Sequence, residues 1–313
     1  MSETVLVTGA AGFLGRALCA SLNGEGYLVR PAVRQHAPSD SAELAVGDIG
    51  PGTDWAAALV NVYGVVHCAA RVHVLNERTA GSLEAFRRVN TEGTLNLARQ
   101  AVMAGVKRFV FVSTLKVNGE ATLPGHAFCA DDLPAPKDSY SVSKYDAEVG
   151  LRQLSQVTGL EVVIVRPPLI YGPEVKGNFA TLLRVLALGL PLPLGAINNS
   201  RSLVALENIV DLLVICLKHP AAAGQTFLVS DGEDVSTTEL LVRTACALKK
   251  RAFLLPVPAS MLMLVATLLG KQEVARRIFG SLQVDISKTC NLLNWKPVIS
   301  LEEGLRRAVR KSS

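Results

Sequence analysis

The chain has 313 residues, 49% hydrophobic and only 19% charged, enough apolar material to bury a large core; this excludes intrinsic disorder and predicts one large domain or two unequal ones. Its 32 Lys and Arg against 27 Asp and Glu leave +5, spread along the sequence, which suits anionic small ligands as well as nucleic acid. Aromatic residues make up 5%, with no basic stretch interleaved with Phe or Tyr, so no stacking platform for single-stranded nucleic acid is expected.

The N-terminal stretch MSETVLVTGA lacks the basic region and long apolar core of a signal peptide, and a cytoplasmic protein is expected. Short β-branched runs follow at 4–8, 27–33, 44–46, 64–67, 108–112 and 161–165, the pattern of strands covered on both faces. Between them, 13–23, 83–104 and 141–158 carry helical periodicity. Six strands with intervening helices predict an α/β fold: an open, mostly parallel, doubly wound sheet with right-handed crossovers.

After the first strand, Thr8-Gly9-Ala10-Ala11-Gly12-Phe13-Leu14-Gly15 opens the first helix with G-x-x-G-x-x-G spacing. Glycines there allow a tight turn, close approach of backbone N–H groups to a pyrophosphate, and close helix-to-sheet packing at the helix's positive end. Gly9, Gly12, Phe13, Leu14 and Gly15 are therefore candidate dinucleotide contacts. An acid about 20 residues beyond such a loop usually binds the adenosine ribose of NAD. Here the second strand ends Val33-Arg34-Gln35 without one. Arg34 is either a planar cation reading a 2′-phosphate or a solvated strand-end residue; the first favours NADP(H), and NAD(H) stays open. Asp48-Ile49 follow the third strand, where Asp48 either accepts from the adenine amino group or caps a turn.

The fifth strand ends in Ser113-Thr114-Leu115-Lys116-Val117-Asn118-Gly119, at the sheet edge where ligands bind in doubly wound folds, so Thr114 or Ser113 can donate to a substrate oxygen. Lys116 faces either a substrate phosphate or hydroxyl, or solvent. Tyr140-Ser141-Val142-Ser143-Lys144 is a Y-x-x-x-K whose spacing puts both side chains on one helix face. A phenol titrating near pH ~10 is a poor acid or base at neutrality, and an ammonium one turn away stabilises its phenolate. The same ammonium can hold the nicotinamide ribose.

After Arg166 the βα rhythm gives way to turns such as LGLPLPLG, predicting a second lobe over 169–313 and a cofactor domain over 1–168. Residues 203–218 read as a strand and helix, and 203–228 is expected to return to the first domain. Residues 253–270 (FLLPVPASMLMLVATLLG) carry no charge, but two early prolines leave about a dozen helical residues, too few for a span of roughly 20. A buried or groove-facing helix is expected there, with surface association kept open by Lys271, Arg276 and Arg277. Residues 292–297 and 301–310 predict a short helix, a turn and a terminal helix. Cys19, Cys68, Cys129, Cys216, Cys246 and Cys290 lie far apart, with no C-x-x-C pair, and read as buried free thiols, with no metal site.

With the glycine loop, the hydroxyl, Y-x-x-x-K and Arg166-Pro167-Pro168-Leu169-Ile170-Tyr171-Gly172-Pro173 in this order, nearly the whole chain resembles the extended short-chain dehydrogenase/reductase family. The resemblance implies a Rossmann domain with a smaller C-terminal α/β substrate lobe. Counted back from Gly119 in the family's S-[ST]-x-x-V-x-G pattern, Thr114 matches the catalytic Ser/Thr, Tyr140 the acid/base and Lys144 the third member. Cys68, Ala69, Ala70, Asn90 and Pro167 match cofactor-side positions. The segments Gly177-Asn178-Phe179 and Arg201-Ser202-Leu203-Val204 are similar to the nucleotide-sugar branch, which implies contact of Asn178 and Arg201 with a sugar diphosphate. Two positions depart from the family: Leu169 replaces a frequent Asn, and Asn118 replaces the Tyr before the loop glycine.

Within the branch, the chain looks most like UDP-sugar 4-ketoreductases that form UDP-N-acetylquinovosamine and like UDP-sugar 4-epimerases. The first expectation is reduction of the C4 ketone of a UDP-4-keto-6-deoxy-N-acetylhexosamine for surface-polysaccharide (lipopolysaccharide) synthesis, with Tyr140 protonating the alkoxide. A 4-epimerase with retained NAD is the alternative. A membrane-associated hydroxysteroid-type dehydrogenase and a noncatalytic cofactor sensor are further ones, and relatives imply a homodimer built on 83–104 and 141–158.

Overall fold

A computed structural model describes residues 3–35, 43–72, 82–123, 125–175 and 177–310. Among these the strands are β1 (Thr4–Thr8), β2 (Leu28–Val33), β3 (Leu44–Ala45), β4 (Val62–His67), β5 (Arg108–Val112), β6 (Glu161–Arg166), β7 (Leu169–Tyr171), β8 (Arg201–Ala205), β9 (Thr226–Leu228) and β10 (Asp234–Val235). The helices are α1 (Phe13–Gly24), α2 (Ala56–Leu59), α3 (Ser82–Phe86), α4 (Thr94–Met103), α5 (Ser139–Thr158), α6 (Asn178–Leu188), α7 (Leu206–Lys218), α8 (Thr237–Ala247), α9 (Ala259–Leu268), α10 (Gln272–Phe279), α11 (Ser287–Leu293) and α12 (Leu301–Val309).

The main sheet is parallel throughout and runs β3-β2-β1-β4-β5-β6-β9. It is the doubly wound Rossmann sheet expected, with seven strands rather than six. The seventh, β9, is three residues long, too short for periodicity to mark; register with Ile164, Val165 and Arg166 of β6 makes it a strand. Strand order reverses between β1 and β4, which opens a crevice at their carboxyl ends.

Alternation along each strand explains the layers. Val5, Val7, Val110, Val112, Val163 and Val165 face one side and pack with Leu18 and Leu22 of α1 and Leu212 and Leu213 of α7. Leu6, Phe109, Phe111, Val162 and Ile164 face the other and pack with Leu97 and Ala98 of α4 and Ala147 and Leu151 of α5. Both faces are thus buried, as near-continuous apolar strands require.

The single helix expected over 83–104 is interrupted: a π-helical stretch over Arg87–Gly93 separates α3 from α4. Thr94 Oγ1 donates to the Asn90 carbonyl at 2.7 Å and Thr91 Oγ1 to the Ser143 carbonyl at 2.7 Å, so hydroxyls meet carbonyls along the widened turns. Apolar periodicity does not reveal such an insertion.

The second sheet has the order β10-β8-β7, with β7 and β8 parallel and β10 antiparallel. Its core joins Tyr171, Phe179, Leu203, Leu240, Leu301 and Leu305. The chain leaves β8 of this sheet directly into α7, which packs on the main sheet, and then enters β9.

Two expectations need correction. No residue of α9 is buried, although a buried or groove-facing helix was expected from its composition; it packs against α10 on the outside of the fold. The six cysteines are free, but only Cys216 is fully buried: Cys129 and Cys246 are exposed, and Cys19, Cys68 and Cys290 are half-buried. Among the described residues no helix is long and apolar enough to cross a membrane.

Candidate active site

At the end of β1 the chain turns through Gly9 with φ +67°, a conformation that favours glycine. A β-carbon on Gly9 would lie 2.9 Å from the Ala69 backbone, and one on Gly15 would lie 2.2 Å from the Gly9 carbonyl oxygen. These glycines therefore let the ends of β1 and β4 and the start of α1 converge. Gly12 is the N-cap of α1 and offers no side-chain cap, and the first turn carries no acid. Backbone N–H groups at the positive end of a helix, beside a turn with no room for side chains, fit a dinucleotide pyrophosphate.

Beneath this cradle lies a hydrogen-bonded chain that sequence reasoning missed. Ala69 N donates to Thr8 Oγ1 at 3.3 Å, Thr8 Oγ1 is bonded to His67 Nδ1 at 2.7 Å, and His67 Nε2 to Thr94 Oγ1 at 2.9 Å. Because the Thr94 hydroxyl already donates to the Asn90 carbonyl, His67 donates from Nε2 and accepts at Nδ1. The neutral imidazole this needs is favoured by burial and by Lys144, which bring its pKa down to about 3. In the sequence His67 is only the last residue of a short apolar run; the pairing of β1 with β4 puts Thr8 beside it.

Cys68, Ala69 and Ala70 follow β4 at the crevice. Burial pushes the Cys68 thiol up to about 12, so it is no nucleophile. Asn90, in the π-helical stretch, donates to the Arg71 carbonyl and Ser143 Oγ, each at 3.0 Å, and accepts from Arg71 N at 2.8 Å. It ties the end of β4 to α5. Arg34 and Asp48, read separately in the sequence, form an ion pair at 2.9 Å on the surface, 77% and 85% exposed. Ile49 lies against Gly93, where a β-carbon would come within 2.7 Å of it.

Thr114 ends the run after β5, with its Oγ1 accepting from Lys116 N at 3.4 Å. The loop is fixed to β6: Ser113 N donates to the Val165 carbonyl at 2.7 Å and Leu115 N to that of Pro167 at 2.9 Å. Tyr140 and Lys144 lie one turn apart at the start of α5, whose N-cap Asp138 forms a capping box with Ser141. Buried Lys144 donates from Nζ to the Val112 carbonyl at 2.8 Å and lies 4.4 Å from the Phe111 ring centroid. Burial lowers its pKa to about 8, against the opposing pull of Cys68 and Glu148. The Tyr140 phenol is pushed above its usual range by burial and by the Asp138 charge.

Lys116, left open between substrate and solvent, donates instead to Asp138 Oδ2 at 2.5 Å. Burial pushes the Asp138 carboxyl up, but the Lys116 ammonium and the Ser141 N–H outweigh it and hold it below the usual carboxylate range. The loop after β5 and the start of α5 are thereby joined by a charge pair.

A second missed feature supports the same two elements. Glu148, fully buried one turn beyond Lys144, accepts from Ser113 Oγ at 2.6 Å and from Arg166 Nε and Nη2 at 2.9 and 2.5 Å. Arg166 Nη1 also donates to Asn118 Oδ1 at 2.9 Å. Its sequence signal was an acid four residues after Lys144 together with an arginine ending an apolar strand.

In the second lobe, Asn178 opens α6, and its side chain lies outside the described residues. Arg201 begins β8; its Nη1 donates to the carbonyls of Arg277 and Gly280 at 2.6 and 3.0 Å, leaving Nη2 without a partner among the described residues. Tyr171, from the downstream motif, is buried and donates to Asp231 Oδ2 at 2.7 Å, a bond internal to the lobe.

A family model described as NAD dependent epimerase/dehydratase family matches residues 5–230. The chain is 48% identical to the UDP-glucose 4-epimerase of Vibrio cholerae, over 99% of its own length and 95% of that protein's. Among solved structures, MoeE5 in complex with UDP-glucose and NAD has a TM-score of 0.77 at 26% identity, covering 98% of this chain and 97% of that one. UDP-N-acetylglucosamine 4-epimerase from Bacillus cereus shares the fold with a TM-score of 0.79 at 21% identity, covering 97% of each chain.

Proposed function

The chain belongs to the NAD dependent epimerase/dehydratase family, and from that premise we propose that it is a UDP-sugar 4-epimerase working with NAD. The observation that carries this reading is the end-to-end 48% identity with a UDP-glucose 4-epimerase. It favours the epimerase over the 4-ketoreductase that the motifs alone put first.

The glycine turn and the uncapped start of α1 would hold the pyrophosphate of the cofactor. NAD supplies the acceptor and donor of the hydride at C4. Tyr140 takes the proton from the sugar O4 hydroxyl and later returns it. Burial and the Asp138 charge disfavour its phenolate; in this reading the Lys144 ammonium, one helical turn along α5, supplies the compensating charge. The Thr114 hydroxyl donates to O4 and fixes its direction. Arg201, at the start of β8, would hold the diphosphate from the second lobe; Asn178, the other position the resemblance implies, has its side chain outside the described residues. Cofactor contacts and the groups at O4 would thus fall in 1–168, and the diphosphate contact in 169–313.

NAD is preferred to NADP because the Arg34 charge is already matched by Asp48, which weakens the attraction a 2′-phosphate would feel. The exposed ends of α4 and α5, with Met103 78% and Val157 81% exposed, support a homodimer through these helices.

The test is to incubate purified protein with UDP-glucose, and separately with UDP-N-acetylglucosamine, without added reductant, and to separate the C4 epimers chromatographically. Formation of the epimer to a fixed ratio, with NAD recovered from the denatured protein, is expected. Stoichiometric oxidation of NADPH by a UDP-4-keto-6-deoxy-sugar, with no epimer formed, would overturn the reading.

A further inference from the structure

The apolar segment that the fold leaves uncovered has a definite geometry. Met261, Leu264, Val265 and Leu268 are 58%, 63%, 51% and 79% exposed, and their spacing places them on one stripe of α9. Leu262, Met263 and Ala266 on the other side are half-buried, so the exposed stripe belongs to a helix that is apolar all round, of the kind normally covered on every face. The preceding segment adds exposed Phe253 and Leu255. Exposed apolar side chains gathered in this way on a folded domain mark an interaction site.

The surrounding charge selects the occupant. Lys249, Lys250 and Arg251 precede the segment, and Lys271, Arg276 and Arg277 follow it; all six are exposed, and none pairs with a carboxylate among the described residues. Over 249–277 the sequence carries these six cations and a single acid, Glu273. At about 1.5 Å per residue, the ten residues of α9 reach about 15 Å, half the roughly 30 Å thickness of a bilayer's hydrocarbon core, so α9 lies in an interface rather than across it. A second copy of the chain is disfavoured, because a two-fold contact would press this cationic rim against itself.

We propose that the α9–α10 hairpin is a membrane-docking surface, with the α9 stripe inserted among the acyl chains of an anionic lipid leaflet and the flanking lysines and arginines on its headgroups. Docking there bears on the second lobe directly: the Arg277 and Gly280 carbonyls that end α10 hold the Arg201 guanidinium. The surface is independent of the sugar chemistry.

The experiment is flotation of the full-length protein with phosphatidylcholine vesicles, with and without phosphatidylglycerol, at low and high salt. The protein is expected to float with the phosphatidylglycerol vesicles at low salt and to remain in the soluble fraction with phosphatidylcholine alone or at high salt. Leu264→Asp with Leu268→Asp, both at exposed positions, should lose flotation while keeping the circular dichroism spectrum. Lys271→Ala with Arg276→Ala should weaken partition about thirtyfold, at about fivefold per cation. Wild-type protein that stays soluble with anionic vesicles, or a double aspartate variant that floats equally well, overturns the proposal. A wild-type oligomer that the aspartate variant dissociates, with no vesicle binding by either, overturns it in favour of a second copy. None of these outcomes depends on epimerase turnover.

Discussion

Replacing Glu148 by glutamine leaves the Arg166 guanidinium in the interior without its counter-charge. The carboxylate is fully buried and the guanidinium 2% exposed, so water reaches neither. Glutamine keeps one acceptor oxygen for Ser113 or Arg166, but its amide NH2 must then face a donor where an oxygen stood, 2.5 Å from Nη2. Arg152, which also touches Glu148 at 3.3 Å, is 43% exposed and can retreat to solvent, so its loss adds little. Removing one member of a buried ion pair costs about 3–5 kcal/mol, a large part of the roughly 5–15 kcal/mol that holds a domain together. Urea unfolding followed by circular dichroism should show this loss. The second substitution Arg166→Met should restore part of it, because the orphaned charge is removed along with its partner. A loss under about 1 kcal/mol for Glu148→Gln, or no recovery in the double variant, would refute the assignment of this pair as the brace behind Thr114 and Lys144.

Tyr140→Phe should lower epimer formation by about 10²–10⁴-fold while the NAD content of the purified protein stays unchanged; retained turnover would remove Tyr140 from the mechanism. Lys144 carries a pKa lowered by burial from 10.5 to about 8, so the ammonium is lost as pH rises through about 8, and kcat should fall on that limb. Stability moves the other way: between about 8 and 10.5 the unfolded chain binds the extra proton, so folding is progressively favoured with rising pH, by about 3 kcal/mol in total. Comparison with Lys144→Met in denaturant titrations across that window isolates the effect. Gly15→Ala should lower the melting temperature and the bound NAD together, since its β-carbon would meet the Gly9 carbonyl at 2.2 Å. Gly24→Ala in the same helix meets nothing within 4 Å and should instead stabilise by up to about 1 kcal/mol.

Much of the site was legible because its requirements are local. A turn with a positive φ needs glycine at position 9, and the packing of α1 needs it at 15; two side chains meet on one helix face only at spacings such as that of Tyr140 and Lys144. What stayed hidden depends on partners far apart in the chain. His67 finds Thr8 and Thr94 across 59 and 27 residues, and Glu148 finds Ser113 and Arg166 across 35 and 18. Arg34 and Asp48, given separate roles, neutralise each other.

The apolar composition of 253–270 marked a helix but not its neighbours, since hydrophobicity measures what leaves water and not what covers it. By itself the sequence determined the βα alternation, the glycine turn and the Tyr140/Lys144 pair, because each rests on backbone conformation or on spacing within one element. Only the tertiary structure decided the seventh strand, the neutral state of His67, the Glu148–Arg166 brace and the exposure of α9, because each of these is set by which distant segment occupies the adjoining space.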